Sequence, residues 1–214
     1  MSVRTIVHLM RHGEVHNPDG VLYGRLPEFY LSDLGHEMAR RSGAYLAERD
    51  VTHLVASPLE RAQQTAQPLA EAKDLRIATD DRVIEAGNQF EGKVVGVGPK
   101  AFLKPSNWWL LRNPWKPSWG EPYTEIAERM KIAVVDAREA ARGHEAVIVS
   151  HQLPVWVARL AFEGKPFAHD PRNRECTLAS VTSLIFDDDT YVGFEYAEPS
   201  ADLLPDSGDF VGGA

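Results

Sequence analysis

The chain has 214 residues, a formal net charge of −8, 43% hydrophobic residues and 25% charged residues. These values fit one large soluble globular domain and exclude disordered, collagen-like and membrane-embedded classes. The acidic balance argues against nucleic acid or an anionic membrane as the main partner, although a few local arginines suffice to hold an anionic small molecule.

No apolar run approaches membrane-spanning length and the N-terminus has no signal-peptide core, so a cytoplasmic location is expected. The single cysteine, Cys176, excludes an intrachain disulfide and a cysteine-rich metal site; buried packing is its expected role.

Taken in order, Thr5 to Met10 is an apolar run of strand length that stops at Arg11-His12-Gly13-Glu14. A cation, an imidazole and a glycine thus stand at a strand end, where open α/β sheets collect ligands. An irregular loop from Pro18 to Tyr30 follows, carrying Gly20, Gly24, Arg25 and Pro27. Ser32 suits the N-cap of a helix running to about Arg49, with an apolar face through Leu34, Met38, Ala39, Tyr45 and Leu46. Val51 to Ala56 reads as a second strand ending in Ser57-Pro58. Leu59 to Ala72 continues as helix, which puts Arg61 one turn in. A short strand from Leu75 to Ala78 precedes Val83-Ile84-Glu85.

Residues 93–120 hold four tryptophans, four prolines and five basic residues, the composition of an inserted subdomain or lid. Helical periodicity resumes from Pro122 to Arg142, through Ile126, Met130, Ala133, Val134 and Ala137. Ala146 to Ser150 is a strand that runs into His151, and a helix follows from about Leu153 to Phe162. The ordered part is expected to close with a hairpin, Thr177 to Phe186 and Tyr191 to Tyr196. One domain is therefore expected over residues 1–198, with 199–214 a mobile polar tail.

Arg11-His12, Ser57 to Arg61 and His151 all lie at strand ends. If those strands are parallel neighbours, two arginines and two histidines converge on one pocket, a donor set suited to phosphate. In that setting His12 reads as a nucleophile toward phosphorus.

The segments L-M-R-H-G-E-V-H-N at 9–17, L-S-D-L-G-H-E-M-A at 31–39 and S-P-L-E-R-A-Q-Q-T-A at 57–66 identify a wider likeness. With V-I-E-A-G-N-Q-F-E-G at 83–92, W-G-E-P-Y-T-E-I-A-E-R-M at 119–130 and V-I-V-S-H at 147–151, the chain resembles the histidine phosphatase superfamily, the phosphoglycerate mutase-like proteins. The ordered set spans most of residues 5–196. The resemblance implies an α/β fold, a three-layer α/β/α sandwich with a mixed, mostly parallel sheet. It also implies that His12 becomes a phosphohistidine, that Arg11, Arg61 and His151 line the phosphate pocket, and that Glu85 is the proton donor. Asn17 matches a phosphate-contacting asparagine, and Arg25 lies in the adjoining substrate-facing loop. One departure stands out: Gln152 occupies a position that is usually glycine.

The implied activity is hydrolysis of a small-molecule phosphate ester, with no cofactor and no metal. A metal site at His12, His16 and His151 is disfavoured because two adjacent arginines would repel a cation. Mutase-type transfer to a second alcohol is the alternative, and a non-catalytic phospholigand-binding protein is the alternative of another class. Glu91 competes with Glu85 for the acid role; His8, His53 and His144 are expected to be structural. Whether the chain forms a homodimer is left open by the sequence.

Overall fold

The computed structural model describes residues 2–88, 91–92, 120–170 and 173–204. Its framework is a six-stranded sheet of β1 (Arg4–Arg11), β2 (Val51–Ala56), β3 (Ile77–Thr79), β4 (Glu145–Ser150), β5 (Val181–Asp187) and β6 (Thr190–Ala197). The spatial order is β3-β2-β4-β1-β5-β6. Pairings among β3, β2, β4 and β1 are parallel, whereas β5 runs antiparallel to both β1 and β6. The sheet is thus mixed, with only β5 reversed.

Among the described residues four α-helices cover it: α1 (Asp33–Ala47), α2 (Glu60–Lys73), α3 (Tyr123–Ala140) and α4 (Gln152–Glu163). The central strand β4 explains why both faces are covered. Its side chains alternate between two separate cores, with Ala146 and Ile148 in one and Val147 and Val149 in the other. The first core adds Ile126, Met130 and Val134 of α3 with Val155 and Val157 of α4; the second adds Leu46 of α1 with Ala62, Ala66 and Leu69 of α2. A strand buried on both sides has no room for a polar alternate face, which is why β4 reads as a continuous apolar run. The result is the three-layer α/β/α sandwich.

The N-terminal turn of α1 is bolted to the Arg11-to-Glu14 turn. Ser32 caps the helix by accepting a hydrogen bond from the Gly35 N–H at 3.0 Å, and its hydroxyl donates to the Glu14 carboxylate. The two backbones approach so closely that a Cβ on Gly13 would lie 2.6 Å from the Gly35 carbonyl oxygen, and one on Gly35 would collide with the Glu14 carbonyl. The glycines of R-H-G and D-L-G are therefore two halves of one contact. Gly13→Ala is expected to cost about 1–3 kcal/mol through overpacking, read as a lower urea midpoint at an unchanged m-value.

Three stretches differ from their expected form. Strand β3 begins two residues later than Leu75, and β5 begins at Val181, not Thr177. The cause in the second case is a loop in which Ala179 takes a positive φ of 53°, which no strand residue adopts. That loop is held under the end of β1: the Ala179 N–H donates to the His12 carbonyl at 3.2 Å, and the Arg11 N–H donates to the Ser180 carbonyl at 3.1 Å. The stretch expected to be mobile from residue 199 starts out anchored. Ser200 is buried with its hydroxyl on the Met38 carbonyl, and Asp202 pairs with Arg41 at 2.6 Å. Residues 205–214 and nearly all of the tryptophan-rich stretch, 93–119, lie outside the described residues.

Candidate active site

Parallel pairing brings three strand ends level. Arg11 of β1 lies opposite Ser150 of β4, and Val149 of β4 lies opposite Ala56 of β2. The pairing continues one residue past the strands, with the His12 N–H donating to the Ser150 carbonyl at 3.0 Å and the Ser57 N–H to the Val149 carbonyl at 2.9 Å. His12, Ser57 and His151 are consequently neighbours. The two imidazole rings lie edge to face with centroids 5.1 Å apart, and Ser57 Oγ is 2.8 Å from His151 Nε2.

His12 is fully buried, and its Nδ1–H donates to the Gly13 carbonyl at 2.8 Å. That bond fixes the tautomer and leaves Nε2 with a bare lone pair. Burial, then Arg61 and Arg11, hold the His12 pKa well below the ordinary 6.5. The same causes, with His12 itself added, hold His151 well below 6.5. Both rings are neutral near pH 7.

Arg61 is buried at the start of α2. It donates from Nη2 to the Gly24 carbonyl at 2.5 Å, and its guanidinium lies 4.7 Å over the Tyr23 ring. Arg11 is aimed by a 2.8 Å bond from Nη1 to the Cys176 carbonyl. Glu85 is buried, with one carboxylate oxygen accepting the Ala86 N–H at 2.8 Å. Burial raises its pKa above the ordinary 4.5, against the pull of that N–H and of Arg61 and Arg11. Its other oxygen lies 4.0 Å from His151 Nδ1. Because burial drives the acid and the imidazole each toward its neutral form, this contact is not an ion pair.

Arg11 Nε, Arg61 Nε and Nη1, His12 Nε2, His151 Nδ1 and Glu85 Oε2 are all buried without a hydrogen-bond partner among the described residues. Buried polar atoms are normally satisfied, so so many orphans in one place mark a polar ligand site. Guanidinium N–H groups, an imidazole lone pair and a carboxyl with a raised pKa are groups whose chemistry suits a tetrahedral oxyanion.

The five residues expected at the centre are brought together, but Asn17 and Arg25 are placed otherwise. Asn17 spends its amide on Val21, donating to its carbonyl at 2.9 Å and accepting its N–H at 3.0 Å, which closes the loop on itself. Arg25 donates to the Glu85 carbonyl at 2.7 Å and pairs with Glu121 at 2.7 Å. Arg129 completes that brace: it donates to the Ile84 carbonyl and pairs with the same Glu121. Arg25 thus holds the backbone that carries the acid. Glu91 accepts the Asn88 N–H and fills the space beside Gly24, where a Cβ would stand. His8 is buried between Ser183 and Glu145, at 2.8 and 2.7 Å, as a structural histidine.

Sequence reasoning passed over Thr65 and Tyr23. Thr65 Oγ1 accepts the Gly13 N–H at 3.1 Å and donates to the Arg61 carbonyl at 2.7 Å, so it ties the nucleophile's turn to the arginine's helix. Its place one turn beyond Arg61 was the available signal. Tyr23 sits in an irregular loop with no periodicity to orient it.

The family model of the histidine phosphatase superfamily (branch 1) matches residues 7–197. "Uncharacterized protein Rv0525" of Mycobacterium tuberculosis is 55% identical over 201 residues, covering 94% of this chain and 100% of its own. Phosphoserine phosphatase 1 of Hydrogenobacter thermophilus is 30% identical over 152 residues, covering 69% of this chain and 71% of its own. Among solved structures, a mycobacterial glucosyl-3-phosphoglycerate phosphatase superposes with a TM-score of 0.73 at 23% identity, over 91% of this chain and 98% of that one; it shows the shared fold. With motif order, sheet topology and a match over most of its length in agreement, the chain belongs to the histidine phosphatase superfamily, branch 1.

Proposed function

We propose that the chain is a phosphomonoesterase acting on a small phosphorylated metabolite through a phosphohistidine at His12. The observation that carries this reading is the bare, tautomer-fixed Nε2 of a neutral His12 set among buried guanidinium N–H groups with no hydrogen-bond partner among the described residues. A phosphate ester repels nucleophiles by its charge, so the protein's task is alignment and charge stabilisation. Arg11 and Arg61 supply forks that match phosphate oxygens.

In the first half-reaction His12 Nε2 forms a bond to phosphorus, the bond from phosphorus to the ester oxygen breaks, and the leaving oxygen takes its proton from Glu85. In the second, Glu85 takes a proton from water as its oxygen bonds to phosphorus. The nitrogen–phosphorus bond then breaks, which releases inorganic phosphate and restores neutral His12. A relative named as a phosphoserine phosphatase supports hydrolysis, and "Probable phosphoglycerate mutase GpmB" of Yersinia enterocolitica, 27% identical over 190 residues, keeps transfer to a second alcohol in view.

The test is release of inorganic phosphate from a panel of sugar phosphates, phosphoglycerates, phosphoamino acids and nucleotides. Steady phosphate release from at least one of them is the expected result. Interconversion of 2- and 3-phosphoglycerate with no phosphate released would replace hydrolase by mutase. Binding without either reaction would leave a phospholigand-binding protein.

A further inference from the structure

Arg174 is a charged residue near this site that the chemistry above does not use. It is half-buried, in the loop that passes under the end of β1. Its Nε donates to His169 Nε2 at 2.8 Å and its Nη1 to Gln152 Oε1 at 3.3 Å. Both acceptors are neutral. The Nδ1–H of His169 donates to the Phe167 carbonyl at 2.6 Å, which leaves Nε2 as an acceptor, and burial lowers the pKa of the ring.

Among the described residues Arg174 has no carboxylate partner, a property it shares with Arg11 and Arg61 of the phosphate pocket and not with the buried arginines elsewhere in the fold. Arg129 pairs with Glu121, Arg138 with Glu139, and Arg159 with Glu175. A half-buried guanidinium braced only by neutral groups keeps its charge available for a ligand.

Its position says which part of a ligand it would meet. Gln152 follows His151 directly, and its Nε2 donates at 3.3 Å to the Cys176 carbonyl that also accepts Arg11 Nη1 at 2.8 Å. One carbonyl and one amide therefore link Arg174 to the phosphate pocket. Arg174 also lies close enough to Glu85 and Arg11 for their charges to interact. Glu85 serves the leaving oxygen in the proposed reaction, and Arg174, whose charge reaches Glu85, is held by Gln152 and His169 and makes no hydrogen bond to the described groups around His12 Nε2; the leaving-group side is therefore the side assigned to it. Gln152, the departure from the usual glycine, is the residue that braces this cation.

We propose that Arg174, braced by Gln152 and His169, binds a carboxylate on the leaving-group side of the substrate, so that the site prefers phosphate esters of hydroxy acids. The inference rests on the phosphatase reading for which side is the leaving group. A binding measurement tests it without turnover. In a His12→Ala background, calorimetric titration with 3-phosphoglycerate and with glycerol 3-phosphate compares two ligands that share the phosphate and differ in the carboxylate.

A charge-assisted hydrogen bond predicts at least roughly tenfold tighter binding of the carboxylate-bearing ligand. Arg174→Gln is expected to erase that margin while leaving glycerol 3-phosphate within about twofold, and Arg174→Lys to restore part of it, since the charge returns without the fork. Equal losses on both ligands, or no margin when Arg174 is present, overturn the assignment. A native chain that hydrolyses no ester but shows the margin would sink the phosphatase reading and keep Arg174 as the carboxylate contact.

Discussion

His12→Ala is expected to lower phosphate release by at least about 10⁴-fold while leaving the affinity for inorganic phosphate largely in place. The asymmetry follows from how the site divides its work. Removing His12 takes away the lone pair that bonds to phosphorus, but Arg11, Arg61 and His151 keep their positions through contacts that do not involve the lost imidazole. Arg11 holds the Cys176 carbonyl, Arg61 the Gly24 carbonyl, and His151 the Ser57 hydroxyl.

The check is a pair of measurements on the same protein: rapid mixing with ³²P-labelled ester followed by alkaline denaturation, which preserves the acid-labile nitrogen–phosphorus bond, and calorimetric titration with phosphate. The native chain should show a protein-bound label that His12→Ala lacks. Turnover surviving in His12→Ala within tenfold of the native rate would remove His12 from the nucleophile role.

What the sequence could and could not convey follows from the range of each signal. His12, Ser57 and His151 stand at the ends of apolar runs, and apolar runs are local; once three such strands pair in parallel, their ends must coincide. The alternation of β4 between two cores is encoded the same way, residue by residue. Arg61 was legible because it lies on a helix whose start is set by the preceding strand and proline. Asn17, Tyr23 and Arg25 sit instead in the irregular connection before α1, where no period dictates which way a side chain turns.

Their actual partners, Val21, Arg61 and the Glu85 carbonyl, depend on how that loop folds back over α2 and the acid. Arg174 is harder still, because its two acceptors come from α4 and from a loop beyond it. The late start of β5 has the same origin: residues from Thr177 have the composition of a strand, but contact with the His12 and Arg11 backbone holds them as a loop. Local pattern thus carried the frame, and long-range contact decided how the loops use their polar groups.

Glu85→Gln is expected to lower kcat by about 10²- to 10⁴-fold, equivalent to roughly 3–5 kcal/mol of transition-state stabilisation, and to flatten the alkaline limb of the pH profile. The proposed first step needs a protonated carboxyl and a neutral imidazole in the same molecule. With ordinary values of 4.5 for the acid and 6.5 for the imidazole, that combination is a minority state at every pH. Burial pushes Glu85 up and, together with Arg61 and Arg11, pushes His12 down, and both moves enlarge the population of the reactive pair on the acidic side of neutrality. The sign is then fixed. As pH rises through the raised pKa of Glu85 the acid loses its proton and kcat/KM falls, whereas mild acid leaves His12 unprotonated and nucleophilic.

A bound phosphate dianion raises the Glu85 pKa further by charge repulsion, so the alkaline limb of kcat should lie above that of kcat/KM. Glutamine keeps the oxygen that accepts the Ala86 N–H, so the loop should survive the substitution. Running both proteins on one ester cancels the ester's own ionisation. A Glu85→Gln profile that retains the native alkaline limb would move the acid role to another group, and Glu91, whose charge also reaches Arg61, is the carboxylate to change next.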